Sequence, residues 1–143
     1  MLAYRKLGFA LTSPPQPGQD ALVTLSLDEL AKVFAQHPGA SDEYPFGPGA
    51  LVFKVGGKMF GLVAEDAWPL TITLKCDPDL ALELRAQYPA VQPGYHFNKK
   101  HWNTLTLDGS IPHDELIELI DHSYQLVVAG LPRAKRTRLS NGD

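Results

Sequence analysis

Apolar and polar positions alternate in two distinct rhythms along this chain, and the rhythm changes mark its elements. In 24–40, TLSLDELAKVFAQHPGA, the residues Leu27, Leu30, Ala31, Val33 and Phe34 recur at helical spacing and lay a stripe along one side. Ser26 is a natural N-cap with Glu29 three positions on, the spacing of a capping box, and Pro38-Gly39 stops the helix. SDEYPFGPG (41–49) reads as a loop. The β-rich runs Ala50–Val55 and Lys58–Ala64 then flank Gly56-Gly57, a hairpin signal because both glycines tolerate positive φ.

The run 70–75, LTITLK, alternates as a third strand. Pro78 suits the first turn of a helix over 79–88, with Leu80, Leu82, Leu84 and Tyr88 expected on its buried side. A weak strand at 91–97 is broken by Pro93-Gly94, and a better one spans 102–107. There Trp102, Thr104 and Thr106 share one face, opposite Asn103, Leu105 and Leu107. The last helix covers 112–129, with Leu116, Ile120, Tyr124, Val127 and Leu131 along one face and Gly130 and Pro132 ending it.

Strands that cluster around a hairpin, without strict βαβ alternation, predict an α+β fold: an antiparallel sheet packed with about three helices. A length of 143 residues suits one domain with one core. The expected organisation is an N-terminal arm at 1–25, containing the Pro-rich SPPQPGQD, a single domain at 26–132, and a basic tail at 133–143.

Charge adds an asymmetry. Formal net charge is −3, yet Arg133, Lys135, Arg136 and Arg138 crowd into the tail, so the body is acidic and the tail basic. A lone cysteine, Cys76, excludes an internal disulfide and suits a reducing, cytoplasmic setting, and its surroundings suggest a passive thiol. The apolar run at 7–11 is too short for a signal peptide, and no run nears the ~20 residues of a membrane span.

The densest candidate chemistry is HFNKKHWNTLTLDG at 96–109. His96 and His101 stand five apart, which does not match the helical i, i+4 pair of a zinc protease, and no carboxylates lie close by. His101 has neither nucleophile nor orienting acid beside it in the sequence, so no catalytic residue and no metal site is assigned. Gly56-Gly57-Lys58 lacks the spacing of a phosphate-binding loop, and Lys58 is expected in water at the hairpin end. Asp121 and His122 are adjacent on a helix and diverge by about 100°, so they cannot act as a dyad. No cofactor is expected. Lys99, Lys100 and His101 can contact anions, and Trp102 can either stack on a base or cover the end of the core. Asn98 reads as a turn residue.

The segments HPGASDEYPFG (37–47), FKVGGKMFGLV (53–63), LTITLKCDP (70–78), YHFNKKHWNTLTLDGSIPHDEL (95–116) and IDHSYQLVVAGLP (120–132) give a chain that resembles the MmcQ/YjbR family. Its most specific elements are Asn98-Lys99-x-His101-Trp102 and Ser123-Tyr124. The resemblance implies a double-wing α+β fold, similar to secretion-chaperone-like domains, and a DNA-binding role. It brings no catalytic residues. The expectation is therefore a small, non-enzymatic cytoplasmic binding domain. DNA would be contacted by Lys99, Lys100, His101, Trp102 and Asn98, helped by Arg133, Lys135 and Arg136. The alternatives are a protein-interaction module using its sheet face and, third, a small-molecule protein with a pocket lined by His96, His101 and Tyr124.

Overall fold

The computed structural model describes residues 25–94 and 97–140. The expected N-terminal arm lies almost wholly outside these residues, as do His96, Tyr95 and the last three positions of the tail.

Helix α1 (Leu27–Ala35) starts at the expected capping box: the Glu29 N–H donates to Ser26 Oγ at 3.2 Å, and the Ser26 N–H donates to Glu29 Oε1 at 3.0 Å. These bonds hold the Glu29 carboxyl below the usual carboxylate range. Leu30 and Phe34 are buried, and the Phe34 ring stacks on Phe53 at 4.4 Å between centroids. Position 61 must be glycine for this packing, since a Cβ there would lie 2.2 Å from the Phe34 ring.

Strands β1 (Ala40–Glu43), β2 (Ala50–Val55), β3 (Lys58–Ala64) and β4 (Thr71–Lys75) follow as an antiparallel meander. β1 falls in the stretch expected to be loop. It is an edge strand whose Ser41, Asp42 and Glu43 are exposed, so no buried alternation announces it; charge on an edge also discourages pairing with other chains. The β2–β3 turn uses Gly56 and Gly57 at φ +59° and +84°. Between Phe53/Lys54 and Gly61/Met59 the register slips, leaving Phe60 as the additional residue of a bulge, with its ring in the core.

Helix α2 (Pro78–Gln87) separates β4 from β5 (Val91–Pro93) and β6 (Trp102–Thr106). Asp77 caps α2, its Oδ2 accepting from the Leu80 N–H. Leu80, Ala81 and Leu84 are buried, but Leu82 is 61% exposed against the expectation, because a residue two positions from Leu80 points to the other side of a helix. The final strand enters between β4 and β5, giving the order β1-β2-β3-β4-β6-β5, antiparallel throughout.

One sheet face carries Phe53, Val63, Ile72, Leu74 and Leu105 and receives α1 and the long helix α3 (His113–Ala129). Leu116, Ile120, Tyr124, Val127 and Leu131 are all buried as the stripe predicts. On the opposite face Thr73 and Thr104 are paired across strands, with their hydroxyls 2.9 Å apart. Residues 133–140, read from sequence as tail, form an exposed helix α4 (Arg133–Ser140). Among the described residues no helix is long and apolar enough to cross a membrane.

Candidate nucleic-acid interface

Antiparallel register places the start of β1, the β2–β3 turn, the end of β4 and the start of β6 at one end of the sheet. That end gathers Lys58, Lys75, Lys99, Lys100 and His101, together with α4, whose Lys135 Nζ donates to the Gly56 carbonyl at 3.0 Å. Asp77 and Asp79 at the start of α2, and Asp121, which pairs with His37 beside the start of β1, are acids set among them. The opposite end carries Glu65, Asp66 and Asp108 in its loops and the acidic first turn of α3. His113, the first residue of α3, acts electrostatically on Glu29, which places the acidic start of α1 near that end too.

The loop 97–101 is built from beneath. Arg85 on α2 donates from Nε to Asn103 Oδ1 at 2.7 Å, and from Nη2 to the carbonyls of Lys99 and, at 3.3 Å, Trp102. Asn103, buried in β6, reaches the Ala81 carbonyl of α2 in turn. A planar fork with fixed donors suits three converging oxygens in a way that a lysine does not. Asn98 is the turn residue expected: its Oδ1 accepts from the Lys100 N–H at 2.9 Å, and its carbonyl accepts from the amides of His101 and Trp102, each at 3.0 Å. The His101 carbonyl accepts from Cys76 N–H at 2.7 Å, tying the loop to the end of β4. The Asn-Lys-x-His-Trp element thus works largely through its backbone, and it leaves the Lys99 and Lys100 side chains exposed. The half-buried Trp102 packs its ring near Phe97, with centroids 5.4 Å apart.

Ser123-Tyr124 also has a structural task. The next rung between β3 and β4 would join Phe60 to Lys75, but the bulge intervenes, and Ser123 Oγ fills the gap. It donates to the Phe60 carbonyl at 2.6 Å and accepts from the Lys75 N–H at 2.9 Å. Tyr124 donates to the Pro38 carbonyl at 2.7 Å and touches the rings of Phe60 and His37.

The eight residues expected to contact anions fall into two groups. Asn98, Lys99, Lys100, His101 and Trp102 form the loop at the β6 side of the sheet. Arg133, Lys135 and Arg136 lie on α4, over the β1 and β2–β3 side. From β6 to β2 is three strand spacings, on the order of 14 Å. Tyr124 lines a groove beside α4, and His101 is not among the residues lining that groove. His96 lies outside the described residues.

Sequence reasoning missed Arg85 and the buried Glu115, and it weighed His122 only as a neighbour of Asp121, without its burial. Glu115 is 1% exposed; its Oε1 accepts from the Tyr88 hydroxyl at 2.9 Å, and burial pushes its carboxyl up to about 7. His122 accepts through Nε2 from the Asp77 N–H at 3.1 Å, and burial holds its imidazole down to about 4. As the sequence suggests, Asp121 points elsewhere, to His37 Nε2 at 3.4 Å. Cys76 is buried and its thiol is pushed up to about 12 by desolvation, so it is not a nucleophile. Among the described residues no group of His, Cys, Asp and Glu is arranged to hold a metal ion.

Comparison with known proteins agrees with the resemblance. The YjbR family model matches residues 35–126. The chain is 42% identical over 118 residues to the uncharacterised protein YbdF of Escherichia coli O157:H7, covering 82% of this chain and 97% of that one. It is 37% identical over 115 residues to the uncharacterised protein YjbR of Escherichia coli K12, covering 80% and 98%. Among solved structures, Deinococcus radiodurans protein DR2400 superposes with a TM-score of 0.77 at 41% identity, over 82% of this chain and 89% of that one. A Pseudomonas syringae protein superposes with a TM-score of 0.61 at 28% identity, over 71% and 98%. Since the family model spans most of the chain, and these relatives match it over nearly their whole length, the chain belongs to the YjbR family.

Proposed function

We propose that the protein is a non-enzymatic binding domain that contacts the phosphate backbone of DNA through the basic end of its sheet. The observation that carries this reading is the segregation of charge: an acidic protein still presents Lys58, Lys75, Lys99, Lys100 and His101 along one end, with most loop acids at the other. Segregated charge attracts a polyanion locally whatever the net charge, and it orients the approach. Lys99 and Lys100 are exposed and held on a loop whose backbone is fixed by Arg85, so little order is lost when phosphate is met. Trp102 and Phe97 supply aromatic surface next to them. Nothing in this arrangement selects a base sequence, so the binding expected is backbone-directed.

Fluorescence-anisotropy titrations of duplex and single-stranded DNA at two salt concentrations test this. Binding should weaken with salt, and Lys99→Ala/Lys100→Ala should lower the salt slope by about 2, one for each phosphate that is no longer neutralised. Absence of binding at low salt sinks the reading.

A second reading, a protein-interaction module, is favoured by the other end. Phe46 is 72% and Trp68 89% exposed, in loops where Tyr44 donates to Glu65 at 2.7 Å. Exposed aromatics of this size are typical interface anchors, and Glu65 and Asp66 beside them suit a basic partner. On the strands, Met59, Leu62 and Trp102 are half-buried, so the exposed aromatics at this end are the stronger anchors among the described residues. A protein captured by the wild type and by the Lys99→Ala/Lys100→Ala form, but not by Phe46→Ser/Trp68→Ser, would support it. Captures that do not distinguish these variants remove it.

A further inference from the structure

Helix α4 and α3 border an open groove of about 570 Å³ that belongs to neither the lysine loop nor the aromatic end. Eight residues with no buried side chain do not make a stable helix alone. Tertiary contacts hold it instead. Leu131, just before α4, packs over Gly56, where a Cβ would lie 2.7 Å from the leucine, and Leu139 packs over Gly39, where a Cβ would lie 2.4 Å away. Lys135 adds its bond to the Gly56 carbonyl.

The groove this creates has two chemistries. Tyr124, Val128 and Leu139 give an apolar wall, and Tyr124 contributes its ring because its hydroxyl is engaged by Pro38. Arg133 and Arg136, three apart and so on one side of α4, line the same space together with Thr137. Neither guanidinium has a hydrogen-bond or ion-pair partner among the described residues. Asp121, the acid on the preceding turn of α3, pairs with His37 at 3.4 Å and also acts electrostatically on Tyr124, so the arginines outnumber a single nearby acid. Two like charges at this spacing repel each other unless an anion lies between them.

From these features we infer that the groove binds a small amphiphilic anion, a carboxylate carried on an apolar body. The two arginines take the carboxylate and Thr137 can donate to it. Val128, Leu139 and the Tyr124 ring cover the apolar part. The groove is open to solvent, so the carboxylate meets the arginines while one side of the ligand stays wet. Bare phosphate would use only the arginines and leave the wall wet. A convex polyanion such as DNA would reach the helix surface without filling the groove.

Isothermal titration of the full chain with sodium octanoate tests this, with sodium phosphate and 1-octanol as the two halves of the chemistry. Octanoate should bind saturably at one site, with phosphate and octanol each weaker. Arg133→Gln/Arg136→Gln, exposed positions whose change leaves the fold intact, should weaken octanoate by at least about tenfold through the loss of charge-assisted bonds. Val128→Trp should block binding by filling the groove, and the Lys99→Ala/Lys100→Ala form should bind as the wild type does. Bound octanoate should also slow amide exchange in α4. No saturable heat, binding indifferent to both groove variants, or phosphate binding as well as octanoate would each overturn the inference.

Discussion

The loop 97–101 and helix α4 are both basic and stand at the same end of one sheet, yet they are built in opposite ways. The loop is convex and determined from within: Arg85 and Asn103 gather its carbonyls, Asn98 closes its turn, and the lysines are left over for solvent. Helix α4 has no buried residue, is positioned by leucines over two glycines, and turns its arginines toward a concave space. Positive charge therefore stands on two kinds of surface here. Lysines on a fixed convex loop suit repeated, loosely coordinated phosphates. Paired guanidiniums over an apolar wall suit one shaped anion.

The largest expected effect comes from breaking the loop's interior. Arg85→Ala leaves Asn103 Oδ1 and two carbonyls without their donor, and should cost about 2–4 kcal/mol by denaturant unfolding. Amide exchange should accelerate at 97–101 but not in α4; equal acceleration in both would mean the two regions are one cooperative unit. Arg85→Lys should recover only part, because an ammonium cannot span the three oxygens.

Ser123→Ala attacks the ground between the regions. It leaves the Lys75 N–H and the Phe60 carbonyl unpaired at the bulge, and should lower stability by about 1–3 kcal/mol in the same unfolding measurement. Since Tyr124 follows directly and lines the groove, octanoate binding should be disturbed more than DNA binding.

A subtler separation uses pH. Glu115 titrates higher folded than unfolded, so its contribution to stability is complete below about 4.5 and is lost as pH rises toward 7. His122 titrates lower folded than unfolded; its contribution is present above about 6.5 and is lost as pH falls toward 4. The two oppose each other across the shared window, each by on the order of 1–3 kcal/mol. Urea midpoints should show Glu115→Gln losing stability on acidification more steeply than the wild type, and His122→Gln losing it less steeply or gaining. His122 supports the Asp77 amide next to Cys76, where the loop is anchored, so acid should loosen 97–101 before α4.

Much of the fold was legible in the chain because its signals are local. Ser26 with Glu29, the Gly56-Gly57 turn, the alternation from Trp102 to Leu107 and the stripe from Leu116 to Leu131 each lie within a few turns or rungs of the residues they organise. Strand β1 was hidden because an edge strand with an exposed, charged face has no periodic apolar signal. Leu82 was misplaced by counting leucines rather than angles around α2.

The candidate sites divide the same way. By itself the sequence determined which residues carry positive charge, that Asn98 would make a turn, and that Cys76 would be inert, since each follows from side-chain chemistry and near neighbours. Tertiary structure alone decided that Arg85 would hold the loop from 14 residues away, that Ser123 would bridge two strands, and that the arginines would face Tyr124 rather than join the lysines. Those outcomes depend on β6 entering beside β4 and on α3 crossing the sheet toward Gly56. Strand order is fixed by the burial of a whole face at once, and no short stretch of the chain contains that information.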